Sequence, residues 1–149
     1  MEKIYKIHDK LYLSSYRAAK KIKKIKKEGI TAIVALMEKK IKNPPDEFNY
    51  LFKLLEDKVY ISFEDLQEIL GFIDEHIENG KVLVHCNSGI SRSGGIIIAR
   101  LLYENSDWTW DKALNYVKKT VAIEPHPNIR KSILDYFESI EGIRRSDIH

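Results

Sequence analysis

The run Thr31-Ala-Ile-Val-Ala-Leu-Met37 constrains the fold most. Extended, it turns apolar side chains to both faces, so it has to be a strand covered from both sides. Val82-Leu83-Val84 is a second, shorter run of this kind, and Leu11 to Leu13 read as another short strand. Amphipathic segments lie between the strands. Ala18, Ile22, Ile25 and Gly29 recur at helical spacing, predicting one helix that Gly29 ends. Ser62 is placed to cap a helix with Glu64 and Asp65 in its first turn. Leu66, Ile69, Leu70, Ile73 and Ile77 form its apolar stripe, and Asn79-Gly80 stop it. A long helix is expected from near Arg92 to about Glu104, with two more around Trp110–Lys119 and Asn128–Ile140. Tyr50 to Leu55 fit a strand or a short helix equally, and Asn43-Pro44-Pro45 mark a loop. Strands alternating with helices predict a single α/β domain. Its core would be a mostly parallel sheet of about four to five strands flanked by helices.

The length of 149 residues suits one domain, and 44% hydrophobic residues suffice for a core. A net charge of +3 is compatible with an anionic substrate without establishing one. Cys86 is the only cysteine, which excludes a disulfide within these residues and fits a reducing compartment. Residues 1–15 carry no continuous apolar core of a signal peptide. The longest apolar stretch, Ile96 to Leu102, is broken by Arg100 and is too short to span a bilayer. A soluble, cytoplasmic domain is expected. No His or Cys spacing suggests a metal, and no cofactor is expected.

The chemistry points to His85-Cys86-Asn87-Ser88-Gly89-Ile90-Ser91-Arg92-Ser93, between a predicted strand and a predicted helix. Ligands of open α/β sheets bind beyond the carboxyl ends of strands, and a helix N-terminus there attracts phosphate. Ser88, Gly89 and Ser91 are small enough for a tight loop whose backbone N–H groups point inward at an anion. A thiolate at Cys86 would be stabilised by the helix terminus and by Arg92, whose planar fork binds two phosphoryl oxygens at once. Ser93 is placed to hydrogen-bond the sulfur when it leaves.

His-Cys-x-x-Gly-x-x-Arg-Ser resembles the signature of the protein tyrosine phosphatase superfamily in its dual-specificity branch. Leu11-Tyr12-Leu13-Ser14-Ser15, Gly29-Ile30-Thr31, Phe72-Ile73-Asp74 and the approach Lys81 to Cys86 are similar to that family as well. So are Ala113, Val117, Pro127 and Asn128. The resemblance implies in-line attack by Cys86, a cysteinyl-phosphate intermediate, and a metal-independent hydrolysis. The loop residues Asn87, Ser88, Gly89, Ile90, Ser91 and Arg92 would hold the phosphoryl oxygens. Asp57 is implied as the general acid, with Glu56 and Asp65 as rivals; Asp65 is discounted as a first-turn helix residue.

His85 is read as a buried histidine that orders the loop rather than as a proton carrier. Asn128 either supports the phosphate loop from behind or caps the last helix. The lysines of residues 20–27 are read as a solvated helix face, and Trp108 and Trp110 as packing anchors. The implied substrates are phosphorylated proteins, at phosphotyrosine and also phosphoserine or phosphothreonine. RNA 5′ ends and phosphoinositides are alternatives on the same loop, and a phosphate-binding module without chemistry is a third. The uncharged loop positions weigh against a highly charged headgroup. Nucleic acid stays a lesser option because the basic helix offers it a surface. The absence of further cysteines weighs against arsenate reduction.

Overall fold

A computed structural model describes residues 3–40 and 42–148, the side chains of 142–148 excepted. The elements in chain order are β1 (Tyr5–His8), β2 (Leu11–Ser15), α1 (Tyr16–Ala19), α2 (Ile22–Lys27), β3 (Ala32–Met37) and β4 (Asn49–Leu54). They continue with α3 (Phe63–Ile77), β5 (Val82–Cys86), α4 (Arg92–Glu104), α5 (Trp110–Lys118) and α6 (Pro127–Ile148). The five strands form one sheet in the order β1-β2-β5-β3-β4. β2, β5, β3 and β4 run parallel, and β1 adds an antiparallel edge to β2.

Alternation along the strands sorts the side chains into two cores. Leu11, Leu13, Ala32, Val34, Leu36, Val82, Val84 and Cys86 face the larger core, which α3, α4, α5 and α6 close. Tyr12, Ile33 and Leu83 face the other side, where Ala19, Ile25 and Ile30 cover them. The predicted strand at residues 31–37 is the fully buried β3, with strands on both sides. The residues 50–55, which fit strand or helix equally, form edge strand β4, hydrogen-bonded in register to β3 from Ala32↔Asn49 to Met37↔Leu54.

Ser15 and Ser62 are N-caps whose hydroxyls accept from Ala18 N and Asp65 N. The single helix expected over residues 18–29 is instead two short ones, α1 and α2. Lys21, at φ −82° and ψ 72°, leaves the helical region between them. Consecutive lysines at the break offer no apolar contact to hold a continuous helix there. Gly29 does end α2, at φ 85°, where other residues are strained. β1 was not expected; it is four residues long and pairs only at the sheet edge. No helix among the described residues is long and apolar enough to cross a membrane.

Candidate active site

β5 ends at Cys86, and the chain then turns tightly through 87–91 into α4. Gly89 makes the turn with φ 80°, a conformation that a side chain would strain. Cys86 is 1% exposed. Its Sγ accepts from Gly89 N–H at 3.2 Å and lies 3.2 Å from Ser93 Oγ. Ser91, the N-cap of α4, makes no side-chain cap hydrogen bond. Its Oγ accepts from His126 N at 3.1 Å instead. The first-turn N–H groups of a thirteen-residue helix thus face the loop without a side-chain cap.

The loop is held from outside by three backbone donors. Tyr16 N bonds Asn87 O at 3.1 Å, Glu124 N bonds Ile90 O at 2.9 Å, and His126 N bonds the Ser91 hydroxyl. Asn87, Ser88 and Ile90 are exposed, whereas Gly89 and Ser91 are buried. What these five residues offer an anion in common is their backbone.

Arg92 is 4% exposed. Its Nη1 donates to Leu55 O at 3.0 Å and to the Glu38 carboxylate. Its Nε is buried with no partner among the described residues. A buried orphan donor is costly unless a ligand satisfies it, and a phosphoryl oxygen is such a ligand. Glu38 did not figure among the residues singled out from the sequence. Its hydrogen bond to Arg92 holds its carboxyl below the usual range, and the nearby charge of Asp57 opposes this to a smaller extent. The one signal for it was position, directly after β3 at the same end of the sheet as Cys86.

Asp57 is partly buried in a turn whose next residue, Lys58, has φ 67°. Its Oδ1 accepts from Lys58 N at 2.8 Å. The segment is fastened at both ends: Leu55 O to Arg92, and Tyr60 OH to Asp135 Oδ2 at 2.8 Å. Asn128 joins this fastening, donating from Nδ2 to Lys58 O at 2.9 Å. It therefore supports the Asp57 turn and not the phosphate loop. Of the rival acids, Glu56 is exposed, and Asp65 pairs with Lys53 at 2.9 Å in the first turn of α3.

His85 points to the α1 side of the sheet, stacked on Tyr16 with ring centroids 5.9 Å apart. Its Nδ1 lies 3.4 Å from Cys86 O. Burial pushes its pKa down to about 4, against a smaller rise from that carbonyl. Trp110 is buried and Trp108 packs against the same core. Among the described residues no three His, Cys, Asp or Glu side chains gather as a metal site would require.

Residues 11–139 match the family model described as dual specificity phosphatase, catalytic domain. The chain is 30% identical over 145 residues to tyrosine-protein phosphatase yvh1 of Schizosaccharomyces pombe, covering 94% of this chain and 43% of that protein. It is 32% identical over 138 residues to dual specificity protein phosphatase 1 of Arabidopsis thaliana, covering 91% of this chain and 69% of the plant protein. The crystal structure of the human tyrosine phosphatase-like serine/threonine/tyrosine-interacting protein superposes with a TM-score of 0.84 at 29% identity, covering 95% of this chain and 99% of that one. With its loop, its sheet order and nearly all its length accounted for, the chain belongs to the dual-specificity phosphatase catalytic-domain family.

Proposed function

We propose that this domain hydrolyses phosphate monoesters on proteins, at phosphotyrosine and also at phosphoserine or phosphothreonine, through a cysteinyl-phosphate. The observation that carries the reading is the pairing of two features. Cys86 Sγ sits between Gly89 N–H and Ser93 Oγ, and the adjoining Arg92 is buried with Nε unpartnered. Sγ attacks phosphorus and the P–O bond to the leaving group breaks. The loop N–H groups and the Arg92 fork take up charge on the equatorial oxygens. Asp57 protonates the departing oxygen, then accepts a proton from the water that cleaves the S–P bond. Ser93 stabilises the sulfur as it is released. A reducing cytoplasm would keep the lone thiol in its working state.

The test is steady-state hydrolysis of a small aryl phosphate with chelator present. Wild type turns over and Cys86→Ser does not. Asp57→Asn slows turnover roughly 10²-fold, and Glu56→Gln stays near wild type. No turnover by folded wild type between pH 5 and 8 would overturn the hydrolase reading in favour of phosphate binding alone.

A further inference from the structure

A cavity of about 750 Å³ opens beside the phosphate loop, and Tyr16, Tyr50, Lys20, Lys23, Lys26 and Lys42 stand among its walls. A second, of about 460 Å³, shares Tyr16 and Lys42 with the first and reaches Asn87 of the loop itself, past Lys39 and Lys40. The two meet at Tyr16 and Lys42, and we read them as one trough that begins at Asn87. Tyr16 forms its threshold, since its backbone N–H holds Asn87 O.

The charge of this trough is lopsided. Of its three carboxylates, Glu38 is committed to Arg92 and Glu47 to Lys26 at 3.2 Å, which leaves only Asp46 without an ion pair among the described residues. Lys20 lies over the Tyr16 ring, 4.6 Å from its centroid. Lys23, Lys39, Lys40 and Lys42 have no ion pair or hydrogen bond among the described residues. Four unpaired ammonium groups against the one unpaired carboxylate of Asp46 leave the trough net positive, and an anion lying in it relieves the remaining repulsion. The lysines of α2 are exposed, as the sequence suggests, and they divide between two hollows. Lys20, Lys23 and Lys26 line this trough, while Lys21, Lys24 and Lys27 turn to a separate hollow near Lys3.

We infer that the trough is a subsite for acidic residues flanking the phosphorylated residue of a peptide substrate. The inference rests on the phosphatase reading, because it places the phosphoryl group itself in the Cys86 loop. A peptide advances about 3.3–3.6 Å per residue when extended, so side chains two or three positions away lie roughly 7–11 Å along the trough. Carboxylates there meet lysines whose flexible stems suit varied sequences, which favours a loose charge preference over a strict motif. Single-stranded RNA fits less well. Tyr16 is already stacked on His85 and covered by Lys20, and Tyr50 is half buried, its phenol pushed up to about 12 by burial and by Tyr16. Neither ring is an open platform for a base.

The experiment compares phosphotyrosine peptides with glutamate, alanine or lysine at the flanking positions on either side. kcat/KM is measured for wild type and for Lys23→Ala/Lys42→Ala, with circular dichroism as the check on folding. The expected result is a preference of roughly tenfold or more for the glutamate peptide over the alanine peptide, expressed in KM and weakened by salt. In the double variant that ratio collapses towards one. Binding of the same peptides to Cys86→Ser, followed by fluorescence polarisation, gives the same order independently of turnover. Equal kcat/KM for glutamate and alanine peptides, or a preference that survives in the folded double variant, overturns the inference. So does a 5′-phosphorylated RNA oligonucleotide that outcompetes the glutamate peptide for Cys86→Ser. Glutamate-selective binding without turnover of any ester would support the subsite and overturn the hydrolase reading alone.

Discussion

Glu38 has a side chain 45% exposed, yet it meets an arginine 4% exposed. Such a half-solvated pair contributes no more than about 1 kcal/mol to folding. Its effect belongs to orientation: with Leu55 O, it occupies Nη1 and so fixes how the Arg92 fork is turned, with Nε left without a partner among the described residues. Glu38→Gln is expected to lower kcat/KM for an aryl phosphate roughly tenfold, about 1.4 kcal/mol, while the melting temperature moves by less than about 4 °C. Arg92→Lys removes the fork itself and costs roughly 10²–10³ in kcat. Steady-state kinetics beside thermal unfolding separate the two effects. Cys86, Arg92 and Ser93 stand close together in the chain, so their spacing was enough to single them out. Glu38 lies more than fifty positions from Arg92 and is one acid among many. Only the parallel pairing of β3 with β5 brings it to the loop. Asn128 neither supports the loop from behind nor caps α6, the two roles read from the sequence; its partner, Lys58 O, lies in a loop whose path no local pattern encodes.

At the scale of elements, the helices most strongly written in the sequence are those that close the larger core. α4 is the clearest case, with Arg92 through Leu101 all buried. Its Gly94-Gly95 pair serves close approach. A Cβ on Gly95 would come within 2.6 Å of Ile129 Cγ2, on α6. Gly71, on the exposed side of α3, would meet nothing within 4 Å. The same substitution should therefore have opposite signs. Gly71→Ala gains roughly 1 kcal/mol of helix propensity and raises the melting temperature by about 2–4 °C. Gly95→Ala gains the same propensity but forces apart two packed helices, at a cost of roughly 1–3 kcal/mol, and lowers it. Calorimetry of the two variants checks the signs directly. β3 and β5 were legible because both faces are apolar. β1 was not, because Tyr5-Lys6-Ile7-His8 puts a single buried residue into four and takes its structure from β2. The break between α1 and α2 was also hidden, since no glycine or proline marks it.

For the whole molecule, the buried histidine beside Cys86 links stability to acidity. His85 has a folded pKa of about 4 against an ordinary 6.5, because burial disfavours its charged form. The unfolded chain thus takes up this proton first as pH falls. The contribution is complete above about pH 6.5 and is lost on the way down to about 4, roughly 2–3 kcal/mol by pH 4.5. Urea unfolding at pH 7 and 4.5 should show that loss in wild type, and His85→Asn should lose less by about that amount. The fastenings of the phosphate loop also set a schedule for the growing polypeptide. Cys86 and Arg92 leave the ribosome together, but the loop they belong to is gripped by Tyr16, made long before, and by Glu124 and His126, made afterwards. At about 5–20 residues per second, the Cys86 thiol spends seconds in a chain that cannot yet hold its loop in shape. Until Glu124 and His126 arrive, two of the three outside hydrogen bonds that hold this loop are unmade.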